Sequence, residues 1–124
     1  MVEHSSREIS AATGTVRYRL KNTFLHRIDG PAVEFKSGTK EWWENGLRHR
    51  IGKPAIEWAG GNEEWYVNGK RHREGAPAVI LHDRPNQFWL NGVQLTQDNC
   101  DQFRTDHQST VMAFLESLQT IETE

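Results

Sequence analysis

Cysteine is almost missing from this chain: Cys100 stands alone among 124 residues. One thiol excludes an internal disulfide framework and suits a reducing compartment. No apolar run approaches the ~20 residues needed to span a bilayer, and the opening MVEHSSREIS carries no apolar leader segment. The expectation is a cytoplasmic protein with no membrane partner. Excess charge is lacking too. Fifteen Lys and Arg against 17 Asp and Glu leave −2, which argues against a dedicated nucleic-acid binder and against a polybasic membrane anchor. Hydrophobic residues make up 35%, short of the usual share, so a thick core along the whole chain is not expected. Five tryptophans must supply much of the burial.

What the chain has instead is a period. HRIDGPAVEF begins at His26, HRIGKPAIEW at His49 and HREGAPAVIL at His72, 23 residues apart both times. EWWENG from Glu41, EWYVNG from Glu64 and QFWLNG from Gln87 repeat in the same step. VRYRLKNT, Val16 to Thr23, fits the register as a degraded half unit. The organisation read from this is a flexible N-terminus over 1–13, a repeat sheet over 14–95 and a helical tail over 96–121. The sheet divides into a half unit, 14–25, and units 26–48, 49–71 and 72–95.

Each unit holds two extended pieces joined at turn signals: Ser37-Gly38, Gly60-Gly61 and Arg84-Pro85-Asn86. A third strand, with Asn-Gly as a two-residue hairpin turn, would reverse the chain at every repeat. Two strands per unit are therefore expected, with a seven-residue link such as Gly46 to Gly52. Equivalent residues then stack about 9.5 Å apart, twice the interstrand spacing. The fold class expected is mainly β: an elongated single antiparallel sheet of stacked hairpin repeats with a short helical C-terminus. Alternation puts Trp43, Tyr66 and Trp89 in one row and Trp42, Trp65 and Phe88 in the opposite row. In the tail, Val111, Phe114, Leu115 and Leu118 form an amphipathic stripe. Two short helices, about 97–105 and 107–119, or one broken helix, follow from it, with Thr96 capping the first and Asp106 or Ser109 the second. The tail is read as capping the open sheet edge, packing on one face, or making a dimer contact.

The pattern W-x-x-N-G-x-x-H, followed by a glycine turn and a short strand, resembles the MORN repeat over about residues 14–95. Trp42/Trp43, Asn45-Gly46 and His49 stand at the places of that family's aromatic, glycine and histidine. Arg27, Arg50 and Arg73 replace the glycine usual after the histidine, and DGP, GKP and GAP replace its glycine turn. The chain is thus similar to a divergent class, with HR-x-DGPA units, associated with phage and giant-virus accessory proteins. The resemblance implies a β-hairpin array that usually binds protein partners, sometimes lipid head groups; it does not imply a reaction. For a viral chain it implies an accessory protein in the host cytoplasm that inhibits a host protein, such as a defence-system component.

The candidate binding residues are three rows: His26, His49 and His72; Arg27, Arg50 and Arg73; Trp43, Tyr66 and Trp89. A guanidinium row can receive phosphates or carboxylates. In the plainer reading the histidines satisfy loop backbone and the arginines pair with Asp29, Glu34, Glu57 and Glu74. Repetition favours the plainer reading, because a catalytic centre needs one convergent set of unlike groups. No catalytic residue and no cofactor is assigned. Zinc is disfavoured without C-x-x-C or H-E-x-x-H spacing, and Cys100 reads as a small core residue. The function expected is non-enzymatic protein binding. The alternative is capture of a phosphorylated small ligand or nucleotide on the arginine row. That alternative fails if all three arginines pair within the chain. A homodimer through the C-terminal helix or the open sheet edge is also envisaged.

Overall fold

The three Asn-Gly pairs set the path of the chain in the computed structural model, which describes residues 5–21 and 23–122. Asn45, Asn68 and Asn91 have φ of 50–51°, and Gly46, Gly69 and Gly92 have φ of 80–83°. Two successive left-handed residues make the turn whose twist suits a two-residue hairpin, and Asn-Gly is the pair that tolerates it best. This corrects the two-strand unit: Asn-Gly does turn a hairpin, and the link from Gly46 to Gly52 contains a strand.

In chain order the strands are β1 (Ser5–Ile9), β2 (Val16–Leu20), β3 (Phe24–Leu25), β4 (Val33–Glu34), β5 (Lys40–Glu41), β6 (Trp43–Glu44) and β7 (Leu47–Arg48). They continue as β8 (Ile56–Glu57), β9 (Glu63–Glu64), β10 (Tyr66–Val67), β11 (Lys70–Arg71), β12 (Val79–Ile80), β13 (Trp89–Leu90) and β14 (Val93–Gln94). The main antiparallel sheet runs β1-β2-β4-β5-β8-β9-β12, with β3 also on β2. The hairpins β6–β7, β10–β11 and β13–β14 form three separate ribbons. Direction is still restored at every repeat, because β5 and β6 are one run broken only at Trp42. The break stays bonded: Trp42 N–H donates to Ala55 at 2.7 Å and its carbonyl accepts from His49 N–H at 3.1 Å. The molecule is mainly β with a C-terminal helix, as expected.

Small and branched residues fill the sheet. Ala32, Ala55 and Ala78 are fully buried, and Val33, Ile56 and Val79 beside them nearly so. The proline that opens each of these strands needs no donor there. The N-terminus departs from expectation. Ser5–Ile9 is not flexible chain but a strand paired over five residues with β2, from Ser5↔Leu20 to Ile9↔Val16. Residues 1–4 of that stretch, and Asn22 of the half unit, lie outside the described residues.

The array closes at its far end because its fourth copy is diverted. Leu95 occupies the position of His26, His49 and His72. Its N–H reaches the Phe88 carbonyl at 2.8 Å, as His72 N–H reaches that of Trp65. Its apolar side chain joins Phe88, Leu90, Cys100, Val111 and Phe114 in a core cluster. Full burial of such side chains contributes about 1.5–3 kcal/mol each. Two helices follow, a 3₁₀ turn at Cys100–Phe103 and α1 at Gln108–Glu122. Thr96 Oγ1 accepts the Asn99 N–H while Asn99 Oδ1 accepts the Thr96 N–H. Neither Asp106 nor Ser109 caps α1; His107 precedes it, its carbonyl accepting from Val111 N–H at 3.0 Å. The stripe offered for a dimer contact is turned inward, with Val111 and Phe114 buried and Leu115 and Leu118 packed on them.

Candidate functional site

The loops that open units 26–48, 49–71 and 72–95 form one edge of the array, and each carries a His-Arg pair. The histidines work for the backbone. Nδ1 of His26, His49 and His72 accepts the N–H of Asn45, Asn68 and Asn91 at 2.9, 2.9 and 3.0 Å. That N–H enters the hairpin turn. A ring whose Nδ1 accepts is neutral with its proton on Nε2.

The arginines lie on the aromatic of the preceding stretch of chain. The Arg27 guanidinium sits 3.9 Å from the Tyr18 ring centre, Arg50 3.7 Å from Trp42 and Arg73 3.6 Å from Trp65. Each also donates from Nη1 to a proline carbonyl, of Pro31, Pro54 and Pro77, at 3.1 Å. Acid pairing then separates the copies. Arg27 meets Asp29 at 3.2 Å and Glu34 at 3.5 Å, and Arg50 meets Glu57 at 3.0 Å. Among the described residues no carboxylate lies at ion-pair distance from Arg73, because Ile80 stands where Glu34 and Glu57 do. Burial pushes its guanidinium below the ordinary arginine value and outweighs the opposing charge of Glu63.

Glu74 does not pair with an arginine, contrary to expectation. It receives His72 Nε2 at 3.1 Å, His107 Nδ1 at 2.9 Å and the Thr110 hydroxyl at 3.1 Å. Thr110 Oγ1 in turn accepts the Gly75 N–H at 2.7 Å. Burial acts to raise the Glu74 carboxyl, but the bonds from His107 and Thr110 outweigh it and hold the carboxyl below its ordinary value. Two imidazoles and a carboxylate are ligand chemistry, yet His72 Nε2 carries the proton and presents no lone pair to a cation. The cluster is a latch between the third loop and α1.

Trp43, Tyr66 and Trp89 do not join the His-Arg edge. They alternate with two arginines that the rows above leave out. Arg48 lies 4.8 Å from Trp43 and 5.6 Å from Tyr66, and Arg71 lies 5.7 Å from Tyr66 and 5.0 Å from Trp89. The signal was present as the tripeptide RHR at 48–50 and again at 71–73. The strand acids anchor this ladder. Glu41 accepts Trp43 Nε1 at 2.8 Å, and Glu64 accepts Trp58 Nε1 at 2.8 Å, Arg71 at 2.9 Å and the Tyr66 hydroxyl at 3.1 Å. Burial acts to raise the Glu64 carboxyl, and these bonds outweigh it.

Two grooves open between successive loops. The first, about 480 Å³, is lined by Arg27, Ile28, Trp42, Arg50 and Ile51 among others. The second, about 310 Å³, includes Ile51, Trp65, His72, Arg73 and Glu74. Ile28 and Ile51, at equivalent positions, are 66% and 72% exposed. Cys100 is buried with its thiol 3.7 Å from the Gln97 carbonyl, in keeping with a core role. No helix is long and apolar enough to cross a membrane, among the described residues. Comparison with family models, curated proteins and solved structures finds no match.

Proposed function

We propose that this chain is a non-enzymatic module that binds another protein along its His-Arg loop edge. The observation that carries the reading is the pair Ile28 and Ile51, exposed at equivalent loop positions beside half-buried indoles and guanidinium groups. Single exposed apolar residues are ordinary. Two in register on a stiff loop edge, next to aromatics and arginines, have the composition of interface anchors. The neighbouring polar groups are engaged with the chain itself: the histidines with turn amides, Arg27 and Arg50 with acids. That engagement weighs against nucleotide capture, which would need the arginine row free. The resemblance to MORN-like phage accessory repeats points the same way, toward a partner in the host cytoplasm such as a defence component.

Ile28 and Ile51 are the residues to change, since the arginines brace the loops. A partner captured by wild type is purified and its affinity measured. Ile28→Lys with Ile51→Lys is expected to weaken it at least tenfold while tryptophan fluorescence stays native. Equal affinity for the double variant would overturn the reading.

A further inference from the structure

The array contains its own control for what Arg73 lacks. Three loops hold an arginine in one way, over an aromatic ring and against a proline carbonyl at 3.1 Å. In two of them a strand glutamate completes the contact, Glu34 to Arg27 and Glu57 to Arg50. In the third, Ile80 occupies that strand position, directly across from Glu63. The guanidinium is thus held the same way, 3.6 Å from Trp65, while its paired glutamate is gone. Two other acids differ from the second loop, Glu74 at the place of Ile51 and Glu63 at the place of Lys40, and neither reaches ion-pair distance of Arg73 among the described residues. A partly buried guanidinium with unused N–H donors favours an incoming carboxylate, which it can engage with two parallel hydrogen bonds.

We propose that Arg73 receives a carboxylate side chain of the protein partner, seated in the groove between the second and third loops. The inference rests on the protein-binding reading and names the partner's chemistry. The groove wall adds the rest. Ile51 is exposed and Trp65 forms the floor under Arg73, so an apolar residue beside the acid finds a matching surface. Glu74 lines the same groove and Glu63 lies nearby. Both repel a doubly charged phosphate more than a single carboxylate. The ligand is therefore an acidic segment with an apolar neighbour, docking where the array's own glutamate would have lain.

The test uses a displayed library of twelve-residue peptides selected on the intact chain. Peptides enriched on wild type are expected to carry Asp or Glu beside an apolar residue. Their affinity is then measured for Ile80→Glu, which supplies the missing internal carboxylate, and for Ile80→Gln, which alters polarity alone. Ile80→Glu is expected to weaken binding at least tenfold, with Ile80→Gln within about twofold of wild type. Arg73→Gln should match Ile80→Glu. Enriched peptides without an acid, or equal losses for Ile80→Glu and Ile80→Gln, overturn this inference and leave the protein-binding reading standing. A selection that enriches nothing removes both.

Discussion

The second and third loops are near copies, and their likeness and difference separate scaffold from surface. Arg50 and Arg73 lie 3.7 and 3.6 Å from their indoles, and each donates to a proline carbonyl at 3.1 Å. Those contacts are what the repeat preserves. The acid is what it varies, present at Glu57 and absent at Ile80. Where a fourth loop would begin, even the stack is exchanged. Thr96 stands at the arginine position, and Phe114 covers Phe88 edge-on at 5.7 Å between ring centres. An interior junction thus uses a cation over an indole, which tolerates water, whereas the end junction uses a buried aromatic pair within an apolar cluster. The aromatic of each unit needs a cover, and the chain supplies it from the next loop until there is none.

That contrast can be broken most severely at the end. Phe114→Ala removes the cover of Phe88 from a buried site and is expected to cost about 3–5 kcal/mol. Urea unfolding would measure it, and hydrogen exchange should show the loss centred on the third unit and tail, since neighbours in such arrays couple locally. Arg50→Ala and Arg73→Ala come next, each losing a stacked cation and a carbonyl bond, about 1–2 kcal/mol. Arg50→Ala should be the worse by up to about 1 kcal/mol, because only Arg50 also loses an acid partner. Unfolding midpoints of the two variants side by side check this.

The smallest expected effect is at the latch. The Glu74 carboxyl is held below its ordinary value of 4.5 in the folded chain. A carboxylate depressed on folding contributes stability above its unfolded value, and loses it as the pH falls through its folded one. Wild type should therefore exceed Glu74→Gln at about pH 6, by less than about 1 kcal/mol since Glu74 is half exposed, and converge with it only in acid, as the pH falls through the depressed folded value. A gap that persisted after the folded carboxyl had been protonated would contradict the latch.

How far the sequence foretold this structure depends on what each feature rests upon. The period, the mainly β class and the amphipathic stripe of Val111 and Phe114 are legible, because each is written in residue type and spacing; that the stripe turns inward is not, because spacing does not say what covers it. The Asn-Gly hairpins are hidden in the sequence because a third strand in the same sheet would reverse the chain at every repeat. A run that breaks at Trp42 and hydrogen-bonds to two different neighbours removes that conflict. Ser5–Ile9 carries no apolar alternation, and its pairing is imposed by β2 through the backbone. The histidine acceptors were anticipated in kind, since a residue repeated in loops is apt to serve loop amides. The arginine stacks were not. They join a residue of one repeat to an aromatic of the stretch before it, which strand alternation does not describe.

A double-mutant cycle on Trp42→Ala and Arg50→Ala asks most directly whether the loop arginines brace the array. If they do, the pair couples by about 1 kcal/mol in unfolding free energy, so the double variant loses less than the two single losses combined. Losses that add within about 0.3–0.5 kcal/mol would mean that Arg50 merely rests on the indole, held by the Pro54 carbonyl and Glu57 alone, and that the stack does not brace the array.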